Sequence, residues 1–552
     1  MNNKIDLPVS FQTQRLTIRR YRWICIVSII LSIFLNGLRL NAFTMLQKGN
    51  QVSRDSLSRQ KVDIGSRREL FIDNYLIEKL SGKAEQRIHH PIQKEIVLVH
   101  DAPWEGSGSG YHSIFKDGNI YRMYYKAWQL SVSEKGLRTD LHPLWTCYAE
   151  STDGINWKKP NLRLFDFNGS KENNIVMTSD TINKVSADGG HNAVFKDENP
   201  DVSPDALYKA LRLSNGIIPY KSSDGIHWSP MSQNPVLTDG AFDSQNLAFW
   251  DVEKKEYRAY WRYFTGGKTP LPYDPKTWKP TGIRAIRTAT SPDLIHWDMQ
   301  ADLKYIDSPP DELYTSQIKP YYRAPHLYLG FPARYIDRGS WSESTRALPD
   351  LENRQGRGKA ASRYGTVLTE SLLMASRDGI TFKRWNEAFL RPGIERPGTW
   401  AYGNQYIGWS MVETKSADEG APNELSLYAT ESYWTGNSSA LRRYTLRLDG
   451  FVSVNAPMSG GELLTKPLVF TGNKLVLNFS TSAAGSIYIE IQDMDGNALP
   501  GYTIADCQEI YGDTIERTVH WKNGTDVSRL KNKAVRLRFV LKDADIFSFQ
   551  FI

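Results

Sequence analysis

The sequence predicts an all-β chain, a five-bladed β-propeller followed by a C-terminal antiparallel β-sandwich. Three observations carry that prediction. A short turn pattern recurs four times, a polar block recurs five times, and both stop near residue 455, where plain alternating strands take over.

The turn pattern reads S-x-D-[GL]-I-x-[WF]. Its copies are Ser151-Thr152-Asp153-Gly154-Ile155-Asn156-Trp157, Ser222 to Trp228, Ser291 to Trp297 and Ser376 to Phe382, with their aspartates 71, 69 and 85 residues apart. A fixed local pattern at loose spacing marks repeated supersecondary units. Each copy follows a strand-like run such as Leu144 to Ala149 or Arg284 to Ala289. Asp-Gly suits a tight turn because glycine accepts positive φ and aspartate bonds its own backbone. These aspartates are therefore read as turn formers, and the aromatic as the start of the returning strand.

The polar block lies upstream of each turn: Gly110-Tyr111-His112-Ser113-Ile114-Phe115, Gly190-His191-Asn192-Ala193-Val194-Phe195, Ser244-Gln245-Asn246-Leu247-Ala248-Phe249, Thr315-Ser316-Gln317-Ile318-Lys319-Pro320 and Gly403-Asn404-Gln405-Tyr406-Ile407-Gly408. Five blocks, each with room for about four strands, fit five blades around an axis. The first strand of each blade lines that axis, so the His, Asn, Gln and Ser side chains are expected to face a central funnel. An early strand, Glu69 to Ile77, is expected to help close the ring.

Residues 67–455 are thus assigned to the propeller and 456–552 to the sandwich, with Ser459-Gly460-Gly461 near the joint. Alternating runs such as Ser486 to Ile491 and Val535 to Leu541, separated by turns such as Asp495-Gly496-Asn497, support the sandwich. Upstream, residues 1–42 read as a signal peptide or signal anchor: a basic run to Arg22, the apolar Trp23 to Leu35, then Leu40-Asn41-Ala42. Residues 43–66 are polar with no period and read as a flexible lead-in. A secreted or periplasmic protein is expected.

Net charge is +7, but residues 1–42 hold six basic residues against one acid, so the remainder carries +2. That balance gives no reason to expect a nucleic-acid partner. No membrane contact is expected beyond an N-terminal anchor, and oligomeric state is left open. Of three cysteines, Cys25 lies in the apolar run, and Cys147 and Cys507 show no metal-ligand spacing. No cofactor or metal is expected. A cation on the propeller axis is conceivable, but no oxygen-ligand loop resembling an EF-hand is visible.

Phosphate loops, HExxH helices and nucleophile-elbow serines do not stand out. What remains is carboxylates beside the blocks: Glu105, Asp188, Asp243, Asp311 with Glu312, and Glu395. A propeller brings such residues together from distant sequence. Glycosidic cleavage needs that convergence, with one carboxyl giving a proton to the leaving oxygen while an ionised one attacks or activates water. Asp243, Asp188, Glu105 and Glu312 are the catalytic candidates. Trp104, His112, His191, Asn192, Gln245, Asn246, Gln317 and Gln405 are the candidates for contacting sugar. Gln245 and Asn246 are polar where a buried strand prefers apolar residues, so their amides need a ligand, water or each other.

With its turn boxes and terminal sandwich, the stretch 69–552 resembles the five-bladed glycosidases of glycoside hydrolase families 32 and 43, and its layout is most similar to family 32. The resemblance implies a nucleophile or base on blade one, a pKa-tuning aspartate on blade two and an acid on blade three, which by position are Glu105, Asp188 and Asp243. The family's N-D-P-N, R-D-P and E-C blocks read here S-G-Y-H-S, G-H-N-A-V and D-S-Q-N-L. The expected function is a glycoside hydrolase acting on an extracellular glycan. The alternatives are a non-catalytic glycan-binding propeller, or a polysaccharide lyase using His112 or His191.

Overall fold

A computed structural model of the chain describes residues 61–552 apart from 180, 184 and 268–279. The expected signal segment and nearly all of the expected lead-in lie outside the described residues. Among the described residues no helix is long and apolar enough to cross a membrane.

Five sheets form the blades. Blade one orders Gly110–Asp117, Ile120–Ala127, Trp145–Ser151 and Ile175–Thr178 from the axis outward. Blade two runs through Val194–Lys196, Tyr208–Ser214, Gly216–Ser222 and Ser229–Pro230, and blade three through Leu247–Asp251, Glu256–Phe264, Arg284–Ser291 and Asp298–Asp302. Blade four starts at Lys319–Tyr321 and gains Lys304–Ile306 as a fifth, parallel strand. Blade five starts at Val412–Thr414. Each polar block lies at or just before its blade's innermost strand, as the repeat requires.

Ring closure falls to a different segment from the one expected. Ile92–Val99 is the outer strand of blade five, paired antiparallel with Ala440–Arg447. Glu69–Leu70 instead pairs with Phe549 and Ser548 in the C-terminal sheet, and Ile77–Gly82 pairs with Gly461–Thr465. Val62–Gly65 also forms a strand, parallel to Leu468–Phe470. The reason is apolar burial: Val62, Ile64, Phe71 and Leu76 complete the core built by Leu477, Ile489, Phe539 and Phe549. The sandwich is thus made from both ends of the described chain, with Leu475–Gln492 and Arg536–Phe551 as its long paired strands.

Asp449 fixes the sandwich to blade four. Fully buried, it accepts from Tyr321 Oη at 2.7 Å, Arg323 Nε at 2.8 Å and Ser548 Oγ at 2.8 Å, with Arg68 Nη1 at 3.3 Å. Burial would raise its pKa, but Arg323 and Arg68 hold it below the ordinary value.

The turn boxes behave as expected. In each, the serine hydroxyl bonds the aspartate and accepts from the backbone ahead, and the aspartate Oδ1 accepts two more amides, as Asp224 does from Ile226 and His227 at 2.8 and 2.9 Å. Their fourth position follows the neighbouring blade. Tyr428, Tyr124 and Tyr260 each donate to the carbonyl of the next blade's turn glycine, Gly154, Gly225 and Gly379. Strand register puts Leu211 of blade two at the place of Tyr124 and Tyr260, because Tyr208, Tyr121 and Tyr257 all face their box serines. The next box accordingly carries Leu294 rather than glycine, at φ 69° and in the same core cluster as Leu211. The exception to the Asp-Gly pattern is thus a packing exchange between blades.

Candidate functional site

At the end of the axis where the inner strands begin, six tyrosines converge: Tyr111, Tyr314, Tyr335, Tyr402, Tyr406 and Tyr433. Tyr111 and Tyr406 stack with centroids 6.4 Å apart, and Tyr314 lies 5.6 Å from Tyr406. Tyr111 sits at φ 54°, and the axial blocks of blades four and five repeat this conformation at Gln317 and Gln405. Left-handed backbone at a bulky residue costs on the order of 1–3 kcal/mol and clusters at functional sites.

Three of the four catalytic candidates connect to this cage of tyrosines, each through a basic partner. Asp188 of blade two accepts from the amides of Gly190 and His191, at 2.5 and 3.0 Å, and stands 3.1 Å from His191 Nδ1. The His191 ring is 5.9 Å from Tyr111. Burial would raise the Asp188 pKa, but His191 and those amides bring it down to about 2. Asp243 of blade three pairs with buried Arg262, whose guanidinium lies 4.4 Å from the Tyr314 ring. Glu312, ahead of blade four, pairs with Arg284, which lies 4.0 Å from the Tyr335 ring. With 44% of its side chain exposed, Asp243 is the most accessible of the three acids.

Glu105 is placed elsewhere, apart from the tyrosines of the cage. Its side chain is enclosed in the layer between blades five and one, taking Lys159 Nζ at 2.6 Å, Tyr125 Oη at 2.5 Å and the amide of Ala102 at 3.0 Å. Burial raises its pKa despite the Lys159 contact. Trp104 belongs to the same layer, where its Nε1 donates to Asn174 at 2.8 Å. His112 is also internal: its Nε2 lies 3.1 Å from His100 Nε2, and burial pushes its pKa well down. Its ring lies against those of His100 and Tyr125, with centroids 5.1 and 5.6 Å away. Of the two histidines expected to serve a lyase, only His191 faces the cage.

The axial amides bond one another and the backbone of neighbouring blades. Gln245 donates to Tyr111 O at 2.9 Å and accepts from Gln317 Nε2 at 2.8 Å, and Gln317 donates in turn to Ile407 O at 2.9 Å. Asn246 donates to His191 O at 2.9 Å. These bonds tie the five blades across the axis and form the floor of the funnel. Asn192 is held by Thr146 and Met177, and Gln405 is buried with its Oε1 lacking a hydrogen-bond partner among the described residues. Of the other acids near the blocks, Asp311 pairs with Arg384 at 3.0 Å and Glu395 lies exposed. Beyond the floor, at the opposite end, lies a cavity of about 810 Å³ lined by Lys116, Lys196, Trp250, Lys319 and Tyr322. Of its three carboxylates, Asp153 is engaged by the turn backbone and Glu413 by Tyr322 and Asn423, and Glu198 also lines it. Asp188, Asp243 and Glu312 belong to the tyrosine end, which is the candidate site on that ground.

Sequence reasoning missed the tyrosines and Lys126. Lys126 lies on blade one's second strand, almost fully buried, with Nζ 4.4 Å from the Tyr111 ring and donating to Tyr433 Oη at 2.9 Å. Burial lowers its pKa to about 7, and Asp188 opposes that shift. A usable signal was there: Tyr111, Tyr314, Tyr402 and Tyr406 all sit within or beside the polar blocks. Two insertions cover the cage, the hairpin Ser131–Ser133 with Gly136–Arg138 from blade one and the helix Leu351–Ala360 from blade four. Lys359 bonds the carbonyl of Glu134 across their contact. Among the described residues no cluster of His, Cys, Asp and Glu is arranged to hold a metal.

No protein-family profile matches the sequence, and no curated protein sequence matches it. Solved structures with a similar chain path include a Bombyx mori GH32 β-fructofuranosidase (11% identity, TM-score 0.32, covering 84% of this chain and 94% of that one). Others are an RS223 β-xylosidase (10%, 0.34, 66% and 95%) and an F. plautii N-acetylgalactosamine deacetylase in complex with blood group B trisaccharide (10%, 0.36, 65% and 94%). At these identities and scores the reaction has to be argued from this chain's own residues.

Proposed function

We propose that the protein is a glycosidase that cleaves a carbohydrate held in the tyrosine-walled funnel. The observation that carries this reading is that Asp188, Asp243 and Glu312, from three adjacent blades, each hold a basic residue that packs on one cluster of tyrosines. Aromatic faces pack on the C–H faces of sugar rings, and paired carboxyls supply the proton donor and the nucleophile or base. Asp188, with its pKa near 2, is ionised throughout the working range and so takes the charge-bearing role. Asp243 and Glu312 are left as candidates for proton donor and nucleophile or base. The expected export, read from residues 1–42, belongs to the same proposal.

The test is release of reducing ends from a panel of extracellular glycans by the wild type and by Asp243→Asn. Cleavage by the wild type with at least a hundredfold loss in the variant supports the reading. Saturable binding with no product from any glycan would make the protein a binding propeller instead.

A second reading, a polysaccharide lyase, is favoured by one observation: Lys126, near neutrality in its pKa, is bonded to a phenol. A nitrogen base beside tyrosine hydroxyls suits proton abstraction next to a sugar carboxylate and protonation of the leaving oxygen. Unsaturated products absorbing in the ultraviolet distinguish it, because hydrolysis cannot make them.

A further inference from the structure

The cage is bordered by more buried positive charge than the protein neutralises. Arg357, on the covering helix, is fully buried, and none of Nε, Nη1 and Nη2 has a hydrogen-bond partner among the described residues. Arg354, one turn earlier and equally buried, donates to the carbonyls of Pro349 and Gly365, at 2.9 and 3.3 Å, with Nη2 lacking a hydrogen-bond partner among the described residues. Asp350, the carboxylate in electrostatic reach of both, instead accepts the amide of Gly398 at 2.6 Å, and neither arginine makes an ion pair among the described residues. Lys126 is the third such cation, bonded to a neutral phenol.

These charges meet at one place. Arg357 is close enough to the Tyr402 hydroxyl for their charges to interact. The Tyr402 ring is 6.1 Å from that of Tyr433, which holds Lys126. Tyr406, in the same cage, has a buried hydroxyl without a hydrogen-bond partner among the described residues. A charge taken out of water needs a counter-charge or it destabilises the fold, and a guanidinium with a free fork is shaped for a two-oxygen anion.

We propose that the cage binds a sugar carrying an oxyanion, a uronate carboxylate or a sulfate ester, with Arg357 and Lys126 as its counter-charges and the tyrosines around its ring. This rests on the glycan reading above and names the class of glycan as acidic. Burial lowers the pKa of Arg357 to about 9 and that of Lys126 to about 7, the directions expected of cations lacking their anion. A bound oxyanion would restore both.

The experiment is titration calorimetry of the full chain at pH 6 with three matched trisaccharides, one bearing glucuronate, one bearing glucose in its place and one bearing glucose 6-sulfate, with product formation followed separately. The expected result is at least tenfold tighter binding of an acidic sugar than of the neutral one, the tighter of the two acidic arms naming the anion. Arg357→Gln should bring that ratio to within twofold while neutral binding is kept, and Lys126→Met should reduce it. Equal binding of all three by the wild type overturns the proposal, as does a ratio unchanged in an Arg357→Gln protein that melts like the wild type. If Arg357→Gln does not fold, the wild-type ratio and Lys126→Met decide. Acid-selective binding without product would leave this inference standing and remove the cleavage reading. Turnover of the neutral sugar without selectivity would do the reverse.

Discussion

The ammonium of Lys126 donates to the phenol oxygen of Tyr433 at 2.9 Å, in a pocket where no carboxylate lies within ion-pair distance among the described residues. Burial sets the consequence. With the pKa lowered to about 7, the unfolded chain holds a proton here between about pH 7 and the ordinary lysine range that the folded chain has released. Stability from this group therefore rises with pH across that window, and below it the full burial cost remains. Lys126→Met is expected to be more stable than the wild type at pH 6, by on the order of 4 kcal/mol at most. The difference should shrink by pH 9. Urea unfolding midpoints at the two pH values check this, and a difference that grows with pH would refute it.

Asp188 works in the opposite sense. Its folded pKa of about 2 is depressed, so its contribution is present above the unfolded value near 3.9 and is lost as pH falls toward 2. Asp188→Asn should cost about 2 kcal/mol at pH 7 and nothing at pH 2. It should also lower kcat/KM by roughly a hundredfold or more, because the charge beside His191 is gone. Denaturant titrations at both pH values, with kinetics at neutral pH, test the two halves separately.

Asp243 and Glu312 are told apart by leaving group. If Asp243 is the proton donor, Asp243→Asn loses about a hundredfold or more on a natural linkage and far less on an aryl glycoside whose phenol departs unprotonated. Glu312→Gln should then be impaired on both and recover with added azide. Rates on the two substrates, with and without azide, decide the assignment. The reversed pattern exchanges the roles.

Glu105 and His112 show where the sequence stopped being informative. Both are polar residues beside axial blocks, and nothing in a one-dimensional pattern tells a funnel-facing carboxylate from one enclosed by Lys159 and Tyr125, since Lys159 is 54 residues away. The blades were legible because turn chemistry is local: Asp224 bonds amides two and three residues ahead. The axial amides were half legible, since Gln245 and Gln317 announced an unmet need whose answer lies 72 residues apart. The role of residues 62–88 was hidden because Phe71 and Leu76 read as propeller strand and are buried against strands near the other terminus.

The enclosure of Glu105 has its own consequence. Glu105→Ala takes one partner each from Lys159, 22% exposed, which keeps Val99 O and Asp101, and from Tyr125, which keeps Asn174, and should lower stability by about 2 kcal/mol, less than an isolated broken buried pair. The kcat of the folded protein should stay within about twofold of wild type, because the side chain does not reach the cage. A loss of kcat comparable to that of Asp243→Asn, at full folding, would return Glu105 to the reaction.

The exchange between blades yields a prediction on the fold itself. A Cβ added at Gly225 would lie 2.4 Å from Tyr124 Oη, which is hydrogen-bonded to that residue's carbonyl, and the backbone there has φ 80°. Gly225→Leu should therefore destabilise the propeller by about 3 kcal/mol or more, through overpacking and a left-handed side chain together. Blade three tolerates Leu294 at φ 69° because Leu211 stands where the tyrosine would be. Adding Tyr124→Leu to Gly225→Leu rebuilds that pair, so the double variant should be more stable than Gly225→Leu alone, leaving about 1 kcal/mol of backbone strain. Thermal unfolding of the four proteins in the double-mutant cycle measures the coupling. Simple additivity would show that the turn glycines answer to backbone conformation alone and not to the tyrosine of the neighbouring blade.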